Sequence, residues 1–134
     1  MIVLDSYAWI EYFLGSETGE TVREHLKTEE AITPSIVLAE VARKYLKQQV
    51  KESEVLRRLI FISANSTIAE INIDLGLCAA RAYFELLEKM RTEKLKKPSL
   101  ADGIVLATGR AFKAGILTGD EHFRGLGGVT YIGK

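Results

Sequence analysis

The sequence holds a single cysteine, Cys78. A lone thiol forms no intramolecular disulfide and builds no Cys-rich zinc site, so a reducing compartment is expected and structural zinc is not. Net charge is missing too, because eighteen basic residues balance eighteen acidic ones. No global positive field announces a nucleic-acid binder, and any contact with a polyanion must be local. No apolar run approaches the roughly 18 residues of a membrane-spanning helix, and no basic segment precedes the first apolar stretch. A cytoplasmic protein with no membrane partner is therefore expected. Internal repeats and low-complexity segments are lacking as well, the stretch from Met90 to Lys97 being the nearest thing to a charge run.

What is present is an ordinary folding composition. Apolar residues make up 47% and charged residues 27% of 134 residues. That length supports one substantial core and is too short for two, so one domain over residues 1–134 is expected.

Ile2-Val3-Leu4 is a short unbroken apolar run, which fits a strand buried on both faces and hence a parallel sheet. Tyr7 to Leu14 reads as a helix stopped by Gly15, and Thr18 to Lys27 as a second helix. Ala31-Ile32-Thr33, before Pro34, is a candidate second strand. From Ser35, a potential N-cap, Leu38, Ala42, Tyr45 and Leu46 recur as one buried helical face, and this helix is expected to reach about Val50. Lys51 to Ile62 repeats the helical pattern, and Thr67 to Ile71 alternates as a short strand. Asp74 is expected to begin a long helix containing Leu77, Ala80, Arg81, Phe84, Leu87 and Met90. Lys96-Lys97-Pro98 breaks it, and Ser99 to Asp102 matches a capping box that opens a helix to about Ala114. Gly115 to Thr118 and Val129 to Ile132 read as the last strands. Strands alternating with helices define an α/β class with a mainly parallel sheet covered on both faces.

Reactive groups in open α/β sheets collect beyond the carboxyl ends of the strands. Asp5 and Asp120 sit at such ends, Asp102 lies in the first turn of a helix, and Glu40 lies one to two turns into another. Clustered carboxylates suit a hard divalent cation, Mg²⁺ or Mn²⁺, and raise one another's pKa values without it. With a cation the same cluster attracts a phosphodiester and lowers the pKa of a bound water, the chemistry of a phosphodiesterase or nuclease. Each acid also has a purely local explanation. Asp5 and Asp120 fit N-caps, Asp102 fits the acid of a capping box, and Glu40 has Arg43 and Lys44 within helical pairing distance. What favours a site is that all four point toward one edge of the sheet.

The segments IVLDSYAWIEYF, SIVLAEVARKY, LADGIVLATGRAF and ILTGDEHF, in that order and spacing, resemble the successive motifs of PIN-domain ribonucleases, in particular VapC-type toxins of toxin–antitoxin pairs. The resemblance covers essentially the whole chain. It implies a three-layer α/β/α PIN-like domain whose central, mainly parallel sheet has about four to five strands. It also implies that Asp5, Glu40, Asp102 and Asp120 are the catalytic acids and hold one or two Mg²⁺ or Mn²⁺ ions for endonucleolytic cleavage of RNA. Thr118 falls on the family's threonine or serine near the fourth acid. A homodimer and a cognate antitoxin whose C-terminal segment occupies the acidic groove are implied partners. The chain departs from the pattern at His122, where many relatives carry a further aspartate. Glu121 is the adjacent candidate substitute, and one-metal catalysis becomes a live alternative. His122 could instead contact a phosphate or donate a proton, but reads better as a surface histidine with neither role.

Tyr7, Trp9, Tyr12 and Phe13 are available to stack on unpaired bases, although aromatic residues at helical spacing ordinarily pack inward. Arg43, Lys44 and Lys47 fit contacts to RNA phosphates or a solvated face equally well. Arg91, Lys94, Lys96 and Lys97 suit the negative end of their helix better than RNA steering. Three functions compete: a metal-dependent endoribonuclease, a catalytically silent PIN-like RNA- or protein-binding module, and a phosphatase or signalling receiver with an aspartate phosphate acceptor. The third ranks last, since Ser6-Tyr7 after Asp5 lacks the paired acid that a phosphatase needs.

Overall fold

A computed structural model describes residues 1–133. Five strands, β1 (Ile2–Leu4), β2 (Ala31–Pro34), β3 (Thr67–Ala69), β4 (Gly115–Thr118) and β5 (Val129–Tyr131), form one sheet in the order β3-β2-β1-β4-β5. Every pairing is parallel. Val3 stands opposite Ile32 on one side and Ile116 on the other, which makes β1 the central strand. That placement explains its composition: a strand covered on both faces has no side on which a polar residue meets water.

Six helices flank the sheet: α1 (Ser6–Leu14), α2 (Glu17–Thr28), α3 (Ser35–Lys47), α4 (Glu52–Asn65), α5 (Ile73–Glu93) and α6 (Leu100–Phe112). This is the expected three-layer α/β/α arrangement. Among the described residues, no helix is long and apolar enough to cross a membrane.

α1 ends at Gly15, whose positive φ of 70° lets its N–H reach the carbonyls of Glu11 and Tyr12. Its Trp9 is wholly buried and donates Nε1–H to Thr33 Oγ1 at 3.0 Å. Thr33 Oγ1 lies 2.8 Å from Ser66 Oγ, and Ser66 donates to the Ile62 carbonyl at 2.7 Å. With the Ser66 proton so used, Thr33 must donate to Ser66 and accept from Trp9. One buried relay thus ties α1 through β2 to α4, and each hydroxyl in it is satisfied. Tyr12 and Phe13 pack with Trp9 and Phe61, so these aromatics serve the core.

Several expected boundaries and faces differ. β2 continues through Pro34, which pairs in register with Ala69, and Ser35 is the first helical residue of α3 instead of its cap. The buried stripe of α3 is Val37, Val41 and Tyr45, while Leu46 is 50% exposed. Two stripes lay one residue apart in the sequence, and the one carrying the β-branched residues faces the sheet. α3 also stops at Lys47, short of Val50.

α5 begins at Ile73, with the Asn72 side chain accepting from Leu75 N–H at 2.8 Å, so Asp74 lies inside the first turn. It buries Leu75, Ala79, Ala82 and Leu86 and exposes Leu77 and Phe84. Small residues win that face because α6 approaches closely: a Cβ at Gly103 would stand 2.6 Å from the Ala79 carbonyl oxygen. β3 ends at Ala69, before Ile71.

Candidate active site

The carboxyl ends of β1 and β4 and the amino ends of α1 and α6 converge on a cleft of about 460 Å³. Asp5, Glu40, Asp102 and Asp120 all line it, with Arg43, Lys44 and Lys97 among their neighbours. The four acids singled out in the sequence are therefore brought together, and each arrives by its own local logic.

Asp5 follows β1 with extended backbone and caps α1, its Oδ1 accepting from Ala8 N–H at 3.0 Å. Its Oδ2 accepts from the Thr118 hydroxyl, and Thr118 Oγ1 in turn accepts from Asp120 N–H at 3.0 Å. The fully buried Thr118 thus links the ends of β1 and β4. Asp102 completes the expected capping box: its Oδ2 accepts from Ser99 N–H at 2.8 Å, and its own N–H donates to Ser99 Oγ at 3.2 Å. Asp120 caps the short 3-10 helix Glu121–Phe123 by accepting from His122 N–H at 2.9 Å. Glu40 projects from α3, between one and two turns after the Pro34 cap.

Burial dominates the electrostatics. Asp5 is only 6% exposed, and its pKa is raised from 3.8 to about 7. Loss of solvation is the largest cause, opposed by the bonds from Thr118 and Ala8 and reinforced by the charges of Asp120 and Glu40. Glu40 is raised by burial and then by the Asp102 charge, with Arg43 and Ser6 opposing. Asp102 is raised by burial and by Asp120, against the bonds from Ser99. These acids repel one another in the cleft, and a bound cation relieves the repulsion.

His122 is not the surface residue expected. It is 8% exposed, with Nδ1 2.6 Å from Asp120 Oδ1 and 4.0 Å from Asp102 Oδ2, and Nε2 2.5 Å from the Lys96 carbonyl oxygen. Burial alone lowers its pKa, but the Lys96 carbonyl and the two aspartates outweigh it and raise the value. One ligand atom each from Asp102, Asp120 and His122 lies within 4.8 Å of the others, a tighter group than the full set of four acids. Glu121 is exposed and does not line the cleft. The signal in the sequence was the neighbouring Phe123, wholly buried, which draws the turn inward.

Tyr7 lines the cleft, Trp9 does not, and Lys47 is exposed outside it. Of the remaining cationic cluster, Arg91 pairs with Glu88 and Lys94 forms the left-handed end of α5, as expected of residues at a helix terminus. Lys97 lines the cleft, contrary to the expectation that it merely served the helix end.

The donor set fits a hard divalent cation: carboxylate oxygens from separate elements, partly buried, with pKa values raised by burial first and then by one another's charges. Fold and cleft together define a parallel α/β protein with an acidic, cation-ready centre at the carboxyl edge of its sheet. A family model of the PIN domain matches residues 2–129. The chain belongs to the PIN domain family, a family of nucleases. No curated protein sequence matches it.

Among solved structures, the chain is similar to a toxin–antitoxin complex from Klebsiella pneumoniae, at 22% identity over 98% of each chain with a TM-score of 0.68. It is also similar to VapBC2 from Rickettsia felis bound to a promoter DNA fragment, at 17% identity over 98% of this chain and 97% of that one, TM-score 0.66. VapC20 of Mycobacterium tuberculosis, a Sarcin-Ricin loop cleaving toxin, matches at 14% identity over 88% and 86% of the two chains, TM-score 0.61. At these identities the likeness is one of fold.

Proposed function

We propose that the protein is a single-domain, metal-dependent endoribonuclease of the VapC toxin type, working in the cytoplasm as a homodimer and held in check by a cognate antitoxin. The observation that carries this reading is the meeting of Asp5, Glu40, Asp102 and Asp120 in one cleft beside Arg43, Lys44 and Lys97. The names of the structural neighbours, which include toxin–antitoxin complexes and a Sarcin-Ricin loop cleaving toxin, support the partner and the substrate class.

The four acids, Asp5, Glu40, Asp102 and Asp120, would hold Mg²⁺ or Mn²⁺. When bound, such a cation polarises the phosphodiester and lowers the pKa of a coordinated water. The chain's own residues do the rest. Thr118 and Ala8 fix the Asp5 carboxylate, and Ser99 fixes that of Asp102. Arg43, Lys44 and Lys97 supply cations that draw RNA phosphates toward an otherwise acidic cleft.

The test is cleavage of single-stranded RNA by purified protein in Mg²⁺ or Mn²⁺, beside a chelator control and the Asp102→Asn variant. The parent is expected to cut, the chelator to stop it, and the variant to slow by about 10²-fold or more, the scale of losing one preorganised electrostatic partner. Equal cleavage by parent and variant overturns the reading. The alternative, a silent PIN-like module, draws on His122, which already pairs with Asp120 where relatives bring another acid. Folded protein with neither turnover nor Mn²⁺-dependent stabilisation is the result that favours it.

A further inference from the structure

We infer that His122 supplies a ring nitrogen to the cation held by Asp102 and Asp120, and that this donor shifts the site's preference from Mg²⁺ toward Mn²⁺. The inference rests on the proposed reading of the cleft as a cation site and adds a ligand that the acidic pattern lacks.

The orientation of the ring carries it. Nε2 lies 2.5 Å from the Lys96 carbonyl oxygen, a group that only accepts, so Nε2 holds a proton. Nδ1 is then the atom turned to the acids, 2.6 Å from Asp120 Oδ1 and 4.0 Å from Asp102 Oδ2. The 2.6 Å contact between Nδ1 and Asp120 Oδ1 is a hydrogen bond whose proton leaves when a cation takes its place. What remains is an imidazole whose far N–H is spent on a backbone carbonyl and whose near nitrogen faces two carboxylates, the form of a metal-ligating histidine. The ring has little freedom to leave, since His122 N–H donates to Asp120 Oδ1 within the same turn and Phe123 beside it is wholly buried. A slight rotation of Nδ1 away from Asp120 opens room for an ion between them.

The Lys96 carbonyl comes from the segment between α5 and α6, 26 residues before His122. Its neighbour Lys97 lines the cleft. One segment thus orients the ring and presents a cation to the substrate side.

Selectivity follows from donor chemistry. Mg²⁺ takes oxygen ligands and gives up its waters reluctantly, whereas imidazole suits the later divalent ions of the first transition row better than it suits Mg²⁺. An aspartate at this position gives an all-oxygen set, and His122 replaces one of those oxygens by nitrogen.

The experiment uses metal-free full-length protein titrated calorimetrically with Mn²⁺ and with Mg²⁺, and pulsed EPR of the Mn²⁺ complex with histidine ring nitrogens as ¹⁴N or ¹⁵N. The other histidine, His25 on α2, pairs with Glu29 just past the helix end and serves as an internal control in the labelling. A ring-nitrogen coupling that changes with the isotope is expected in the parent and expected to vanish in His122→Asp. The Mn²⁺ over Mg²⁺ preference is expected to fall at least tenfold in that variant while binding persists. Mn²⁺ bound to the parent without nitrogen coupling, or an unchanged preference in the variant, overturns the role of His122 and leaves the acidic site standing. No Mn²⁺ binding by the parent at all overturns both. The spectrum of the parent decides the coordination even if the variant folds poorly.

Discussion

The sharpest consequence of the site is that Asp5 opposes the stability of the protein that carries it. Its carboxyl binds a proton with a pKa of about 7 in the native state against 3.8 when solvated. Between those pH values the native chain holds more protons than the unfolded chain, so this group's contribution to stability is full below about pH 4 and is lost as pH rises through about 7. At about 1.36 kcal/mol per tenfold change in proton affinity, the loss reaches about 4 kcal/mol above pH 7. Glu40, Asp102 and His122 are raised as well and act in the same direction.

Asp5→Asn removes that ionisation without changing shape. The remaining carbonyl oxygen still accepts from Ala8 N–H, preserving the cap of α1. The new amide meets Thr118 Oγ1, which already accepts from Asp120 N–H and now must send its own proton elsewhere. That mismatch costs about 1–3 kcal/mol. The net expectation is a metal-free variant more stable than the parent at pH 8 by about 1–3 kcal/mol, or roughly 4 to 12 °C in melting temperature for a chain of this size. Melting both proteins by circular dichroism in chelator at pH 5 and pH 8 checks it. The parent alone loses the Asp5 contribution between the two, and Mn²⁺ raises the parent's melting temperature more than the variant's. A variant less stable than the parent at pH 8 refutes the reasoning, because buried charge would then not be the term that dominates at Asp5.

Other substitutions probe the parts that hold the cleft. Glu40→Gln is expected to weaken Mn²⁺ binding at least about tenfold in calorimetry, with little change in fold, because it removes a charge from the donor set and keeps its volume. Gly103→Ala places a methyl 2.6 Å from the Ala79 carbonyl oxygen and 3.0 Å from Tyr83 Cβ. Forcing α5 from α6 is expected to cost about 1–3 kcal/mol in denaturant melts. Trp9→Phe removes the donor to Thr33 Oγ1 and leaves a gap in the core, for a loss of about 1–3 kcal/mol in the same assay. Gly119→Ala drives a methyl into the Tyr7 ring, which lines the cleft, and RNA cleavage is expected to fall further than stability does.

The order of elements was readable because the central strands β1 and β4 are short apolar runs bounded by an acid or a Gly, and a fully buried strand permits little else. The rotation of α3 and α5 was not readable. Both helices carry more apolar residues than one face needs, and the choice between Val41 and Ala42, or Ala79 and Leu77, is made by how near the neighbouring layer comes. Helix starts went astray where the cap lay one or two residues upstream, as with Asn72 before Asp74. His122 differs from its expectation for a related reason: Phe123 beside it hints at burial, but the Lys96 carbonyl that orients its ring lies 26 residues away, which no local pattern reports.

The four acids were found by their position at strand ends and helix starts, the same positions that make each look like an ordinary cap. The caps form, and the same carboxylates line one cleft. Ala8 N–H holds one oxygen of Asp5, Ser99 N–H one oxygen of Asp102, and His122 N–H one oxygen of Asp120. A carboxylate anchored through backbone hydrogen bonds has its rotamer fixed before any ligand arrives, at no cost in a competing side-chain cation. Under the proposed reading, capping is how this fold preorganises its donors, and a substitution such as Ser99→Ala, which removes only the hydroxyl that accepts from Asp102 N–H, keeps the Ser99 N–H bond to the carboxylate. It is expected to loosen the start of α6 by about 1 kcal/mol while sparing Mn²⁺ affinity. Loss of affinity on the scale of Glu40→Gln would mean that the hydroxyl, and not the backbone bond, fixes Asp102.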